Sequence, residues 1–337
     1  MITASPHAAQ PAGDGADWRR LWRDAITEGR ELLDLLDLGH LRRRLPTDDA
    51  GFALRVPRGF AARMRRGDPD DPLLLQVLPQ LAEQADVAGF ASDAVGDLGA
   101  RAAHGVLHKY HGRVLLIASG TCAINCRYCF RRHFPYADEI AAAGQWREAL
   151  DYLRGHPEVD ELILSGGDPL ALSNAKLRDL TAALPHGALR RLRIHTRLPV
   201  VLPERVDAGL LDWLRALPLR VVVVVHANHC NELDGSVADA CRRLREAGAT
   251  LLNQSVLLRG INDSAAALAA LSRRLFDDCG VLPYYLHQLD RVRGTAHFEV
   301  DDVRARALVE ALRGELPGYL VPRLVRELPG EPAKTPL

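Results

Sequence analysis

The run Thr121-Cys122-Ala123-Ile124-Asn125-Cys126-Arg127-Tyr128-Cys129-Phe130-Arg131-Arg132 holds three of the chain's six cysteines, spaced Cys-x3-Cys-x2-Cys. Thiols this close on a short loop can converge on one point. Three thiolates from one loop can each take one iron of a cubane whose edges are bridged by sulfide. The fourth iron then has no protein ligand and stands open to a small molecule carrying an amine and a carboxylate. Other readings of the spacing stay open beside this one. Cys122, Cys126, Cys129 and His133 would make a four-ligand zinc set, as in a zinc-binding interaction protein. Inert core thiols or a disulfide pair are a third reading.

Outward from this loop the chain is regular. Just upstream lies the apolar run Val114-Leu115-Leu116-Ile117. Similar runs begin near Glu161, Arg190, Leu219, Thr250 and Val281, about thirty residues apart. Helix-like segments over 145–155, 173–184, 203–216, 236–248, 263–279 and 301–313 alternate with them, with Asp, Ser and Pro recurring at their starts. Strand then helix, six times over, predicts a parallel sheet with right-handed crossovers. Polar groups stand where the strands should end: Cys122, then Ser165-Gly166-Gly167-Asp168, His195-Thr196-Arg197, His226-Ala227-Asn228-His229, Asn253-Gln254-Ser255 and His287-Gln288-Leu289-Asp290. Chemistry spread over many strand ends describes a barrel mouth rather than the single crevice of a doubly wound sheet. The expected fold is therefore α/β: an incomplete six-unit (β/α) barrel of parallel strands over 108–315. A helical N-terminal region over 17–107 and an irregular C-terminal tail over 316–337 flank it, and residues 1–16, rich in Pro, Gly and Ala, read as disordered.

The 337 residues, 47% of them hydrophobic, suffice for a large core. Basic and acidic residues both number 43, so no net field favours nucleic acid or an anionic membrane. No apolar run reaches bilayer length and no leader pattern opens the chain, which reads as cytoplasmic. Cys230, Cys241 and Cys279 read as buried structural thiols.

Only three of the 43 basic residues are lysine: Lys109, Lys176 and Lys334. A lysine kept where arginine is the habit is a candidate for what arginine cannot do, forming an imine through its deprotonated amine. Lys176 opens an ordinary helix. Lys334 lies in a Pro- and Gly-rich tail that otherwise reads as a disordered end. With lysine so scarce, it is a candidate for a Schiff base to pyridoxal phosphate (PLP). His108-Lys109-Tyr110-His111-Gly112-Arg113 offers cations and a ring for the cofactor's phosphate, or else a solvated basic face. Ser165 to Asp168, after a buried strand, would bring backbone amides close to an amine or a carboxylate, or would form a plain strand-to-helix turn.

Five ordered motifs carry a specific resemblance: the cysteine run, Ser165 to Leu170, His195-Thr196-Arg197, Asn253 to Arg259, and Lys334-Thr335-Pro336. Together they resemble the lysine 2,3-aminomutase family of radical S-adenosylmethionine (SAM) enzymes, over roughly 52–337. Cys129 to Tyr136 and Gly330 to Leu337 are closer to one branch, the EpmB enzymes, which make (R)-β-lysine from L-α-lysine for elongation factor P. The resemblance implies an isomerase with three cofactors: a [4Fe-4S] cluster, SAM and PLP. It assigns Cys122, Cys126 and Cys129 to the cluster, Lys334 to PLP as the catalytic lysine, and Lys109, Tyr110 and Arg113 to PLP contacts. Ser165, Gly166, Gly167, Asp168 and His195 fall to SAM. Arg131 matches the holder of the substrate carboxylate and Asp290 one of two acids on the distal ammonium. The second acid is an aspartate in the family, and here Glu327 stands in its place, one methylene longer. Implied partners are L-lysine, a reducing electron donor such as flavodoxin or ferredoxin, and an elongation factor P ligase that takes the product. Free-lysine metabolism is the alternative within the family. Free-lysine enzymes carry a zinc-binding extension beyond the position of Lys334, so their mode of assembly is not carried over.

Overall fold

The computed structural model describes residues 17–46, 52–141, 146–185 and 187–337. The expected disordered start, 1–16, lies outside them. Among the described residues ten strands form one sheet in chain order. They are β1 (Arg101–Ala103), β2 (Val106–Tyr110), β3 (Arg113–Ser119), β4 (Glu161–Gly166), β5 (Arg191–Thr196), β6 (Arg220–Val225), β7 (Thr250–Val256), β8 (Leu282–His287), β9 (Arg323–Arg326) and β10 (Thr335–Pro336). Neighbours from β3 to β9 are parallel, whereas β1–β2, β2–β3 and β9–β10 are antiparallel. A doubly wound sheet would reverse its order part-way. This one never does, so successive right-handed crossovers lay every helix on one face and the sheet curls around the other.

The crossover helices start where the sequence places caps. The Ser173, Asp207, Ser264 and Asp301 side chains accept from the backbone N–H of Lys176, Leu210, Ala267 and Arg304. Each satisfies an otherwise orphaned donor. The helix expected from Pro203 begins at Ala208, because Pro203–Arg205 forms its own tight turn and Asp207 caps the helix proper.

Alternation sorts the strands. Val114, Leu116, Leu162, Leu164, Leu192, Ile194, Val221 and Val223 pack outward into the main core. Leu115, Ile163, Ser165, Arg193, His195 and Val224 line the concave side. The period of two along a strand explains why β5 reads Arg-Leu-Arg-Ile-His-Thr: its apolar residues face the helices, while Arg193 and His195 face the hollow.

Two regions differ from expectation. The N-terminal region is more turn than helix, with α-helices only at Asp17–Arg23, Gly29–Leu35 and Arg58–Ala61 among its described residues. Prolines at 57, 69, 72 and 79 interrupt it. The region ends in the β1–β2 hairpin, so β2 crosses the expected boundary at 107. The tail is more ordered than its Pro and Gly content predicts. β9 adds a seventh parallel strand, and Thr335 and Pro336 pair back onto Arg326 and Val325. Cys241 and Cys279 are buried as expected, but Cys230 is only half-buried, in a turn after β6.

Candidate active site

The hollow is a cavity of about 310 Å³ on the concave face of the sheet, reached by residues from β2 through to the tail. All fifteen predicted site residues line it.

The cysteine loop leaves the end of β3 and is held by the N-terminal region: Asn125 N–H donates to the Arg55 carbonyl (3.0 Å) and Arg127 N–H to that of Gln76 (2.8 Å). Burial, then the charge of neighbouring groups that include the other two thiols, pushes the Cys122 thiol well up. Burial and Cys126 push Cys129 up to about 11. Arg197 donates to Cys126 Sγ and to the Tyr128 hydroxyl, while its other terminal nitrogen pairs with the fully buried Glu232 at 2.9 Å. Tyr128 is packed beside the thiols, stacked on His226 with centroids 5.8 Å apart.

The Ser165–Asp168 turn lies against this loop. Gly167 N–H donates to the Ser119 carbonyl and Asp168 N–H to that of Thr121, at 2.6 and 2.8 Å. A Cβ on Gly166 would come within 2.4 Å of the Ser119 oxygen, and one on Gly167 within 2.5 Å of the Thr121 oxygen. The sequence reading has these glycines admit a ligand; what they admit first is the backbone beneath the cysteine loop. Asp168 also departs from a simple ligand contact. Its carboxylate accepts from Thr196 Oγ1 and from the backbone N–H of Leu170, Arg197 and Leu198, fastening the end of β4 to that of β5.

Also lining the cavity, Lys334 forms an ion pair with Glu327, whose second oxygen is 3.1 Å from Lys109 Nζ. Arg113 lies over the Tyr110 ring at 4.5 Å, and Lys334 Nζ is 6.0 Å from the Tyr285 ring centroid. Arg131 pairs with Asp97 at 2.6 Å and donates to Ser165 Oγ at 3.0 Å. Five buried polar atoms of the described cavity-lining residues lack a hydrogen-bond partner: Arg193 Nε, Arg197 Nε, His195 Nε2, His287 Nε2 and Asp290 Oδ1. Burial lowers both imidazoles well below the usual histidine value, so they are neutral, and raises Asp290 to about 7. Asp97 and the cavity-facing nitrogen of His287 escape a reading of the sequence. His287 sits in a polar run that the sequence marks, whereas Asp97 belongs to no motif.

The zinc set does not assemble. His133 is exposed, with Nε2 3.2 Å from the Arg293 carbonyl. Among the described residues no group of three or more His, Cys, Asp or Glu side chains is placed around a single metal ion.

Residues 116–224 match the profile of the Radical SAM superfamily. The chain is 49% identical over 326 residues to L-lysine 2,3-aminomutase of Escherichia coli (strain K12), covering 95% of this chain and 94% of that one. It is 44% identical to the protein of that name from Haemophilus influenzae, over 95% of each chain. A third relative so named, from Clostridium subterminale, is 36% identical over 96% of this chain and 78% of its own. The chain belongs to the L-lysine 2,3-aminomutase family. As a lysine 2,3-aminomutase family member it is an isomerase, and its radical SAM domain implies a [4Fe-4S] cluster and SAM.

The residues fit those groups. A cubane takes each thiolate on a different iron, which suits three half-buried thiols that share a wall without converging on a single-ion site. Their mutual repulsion opposes three unpaired thiolates and is relieved by a cationic core. The unpartnered His195 Nε2 lines the same cavity and would be free to contact SAM there. Elsewhere in the lining, the Lys334 amine, Lys109 and Arg113, with the Tyr110 and Tyr285 rings, are residues that would hold a cofactor carrying an aldehyde and a phosphate.

Proposed function

We propose that the chain converts L-α-lysine to (R)-β-lysine with a [4Fe-4S] cluster, SAM and PLP, and that the product goes to a ligase that modifies elongation factor P. One observation carries this reading: the cysteine loop, the tail amine of Lys334 and the unpartnered Oδ1 of Asp290 border a single cavity. When bound, the cluster with SAM supplies a carbon radical that takes hydrogen from the substrate, and PLP supplies the π system across which nitrogen moves between adjacent carbons.

The protein's part is to hold and to exclude. Arg131, buried beside the Phe130 and Phe134 rings at 4.7 and 5.8 Å, presents a guanidinium edge to the substrate carboxylate. Asp290 receives the distal ammonium, whose charge favours the ionised carboxylate that burial disfavours. Lys334 anchors PLP, with Glu327 as counter-ion to the tail lysine and to Lys109. Leu107, Leu115, Ile163, Val224 and Val256 give the cavity an apolar lining that sheds water. The similarity to relatives named L-lysine 2,3-aminomutase supports lysine as substrate, and the resemblance of the tail to the elongation factor P branch supports that destination.

Anaerobic assay with a cluster reductant, SAM, PLP and a panel of α-amino acids, scored for β-amino acid, tests the reading. L-lysine should be turned over well ahead of its shorter or uncharged analogues. Colourless protein that binds zinc and forms no β-amino acid would sink it.

A further inference from the structure

Asp97 lies outside every motif, yet it joins two parts of the site that chain order keeps apart. Its Oδ1 is 2.6 Å from Lys109 Nζ on β2, and its Oδ2 is 2.6 Å from Arg131 Nε on the cysteine loop. All three side chains are largely buried, Asp97 at 3% exposure. Burial alone would raise the Asp97 carboxyl, but the charges of Arg131 and Lys109 outweigh it and leave it below its ordinary value. The aspartate is itself held in place. Asp93 accepts from the backbone N–H of Asp97 (2.9 Å) and Leu98 (3.0 Å), and the Val95 carbonyl accepts from Lys109 Nζ at 2.8 Å. At Gly96, in the left-handed region with φ +68°, a Cβ would come 3.0 Å from Pro329 Cβ, so the tail that carries Lys334 abuts the same turn.

Arg131 has five N–H donors. Asp97 takes Nε and Ser165 takes one hydrogen of Nη1, which leaves the terminal edge for a bidentate carboxylate. Without a buried anion between them, Arg131 and Lys109 would repel each other and compete for the same bound anion. We infer that Asp97 is a positioning residue that keeps these two cations apart and oriented, so that Arg131 takes the substrate carboxylate while Lys109, held by Val95, Asp97 and Glu327, lends its fixed positive charge to the cofactor phosphate. This rests on the proposed function of the cavity and adds a residue that the reading lacks.

The test uses the cluster- and PLP-loaded chain under anaerobic conditions and follows the PLP absorption band during titration with L-lysine or with 1,5-diaminopentane, which lacks the carboxylate. Asp97→Asn should weaken L-lysine roughly tenfold or more, as expected for a disrupted charged hydrogen bond, while 1,5-diaminopentane changes by less than about twofold. It should also loosen PLP retention at unchanged iron content. Damage that is merely structural would weaken both amines alike and overturn the inference. Should Asp97→Asn fail to fold, Asp97→Glu keeps the charge but moves both oxygens by one methylene, and it should cut the preference for L-lysine at least about threefold. A preference equal to wild type in the folded variant overturns the inference and leaves the proposed function standing. A wild-type chain whose band does not respond to L-lysine overturns both.

Discussion

Glu327 pairs with Lys334, seven residues further along the same tail, and with its other oxygen reaches Lys109 on β2. Burial would raise this carboxyl, yet the two ammonium groups overcome burial and hold it at about 2. A depressed carboxylate contributes stability above its unfolded value, near pH 4.5, and loses it as pH falls toward the folded value. The ligand-free chain should therefore lose at most about 3 kcal/mol from this group between about pH 5 and 2. Glu327→Gln should flatten that part of the curve. Denaturant unfolding of both proteins across that range checks it, and identical acid limbs would refute it.

Asp290 behaves in the opposite sense. Burial raises it to about 7, so between the unfolded value near 3.8 and pH 7 the folded chain holds a proton that the unfolded chain has released. Its contribution to stability falls as pH rises through that window. Ammonium binding needs the ionised form, so the KM for lysine should rise as pH drops below about 7. Asp290→Asn should raise KM roughly tenfold to a hundredfold and abolish that pH dependence. Steady-state kinetics between about pH 6 and 8.5 decides the matter.

Lys334→Ala should abolish the PLP absorption band and borohydride trapping of the cofactor, with iron content unchanged. Glu327 would then keep only Lys109 as its close cation. PLP retained at wild-type stoichiometry would reject the assignment of the tail lysine.

Gly167→Ala should disturb the cysteine loop without touching a cysteine, since the new Cβ would press on Thr121 backbone atoms at 2.5 to 2.8 Å. The expected cost is about 1–3 kcal/mol with a loss of bound iron. Gly59→Ala, which meets nothing within 4 Å, is the control and should hold iron normally. Thermal melts with iron analysis would show whether the two variants separate.

The parallel strands are legible in the sequence because each carries a short apolar run rich in β-branched residues, and the helices between them because Ser and Asp caps announce their starts. β5 and β6 sit within a residue or two of their expected positions. The β1–β2 hairpin is not legible: His108 to Arg113 reads as a basic patch, and only strand pairing shows that Lys109 belongs to a sheet. β10 hides for another reason, since its two residues, one of them a proline, carry no strand pattern. In the site, motif residues are readable from spacing, whereas Asp97 and Glu232 owe their roles to partners 34 and 35 residues away. A buried counter-ion has no local signature, because what selects it is a charge brought near by folding.

The final ladder of the sheet has two rungs, and one of its members, Pro336, has no N–H to give. The residue just before that ladder is Lys334. A margin this thinly stitched should unzip at far less free energy than the parallel staves beside it. The amine assigned to PLP thus sits at the weakest margin of the sheet, and what steadies it beyond the two rungs is its own ion pair with Glu327 and the Leu337 N–H, which donates to the Leu324 carbonyl at 3.2 Å.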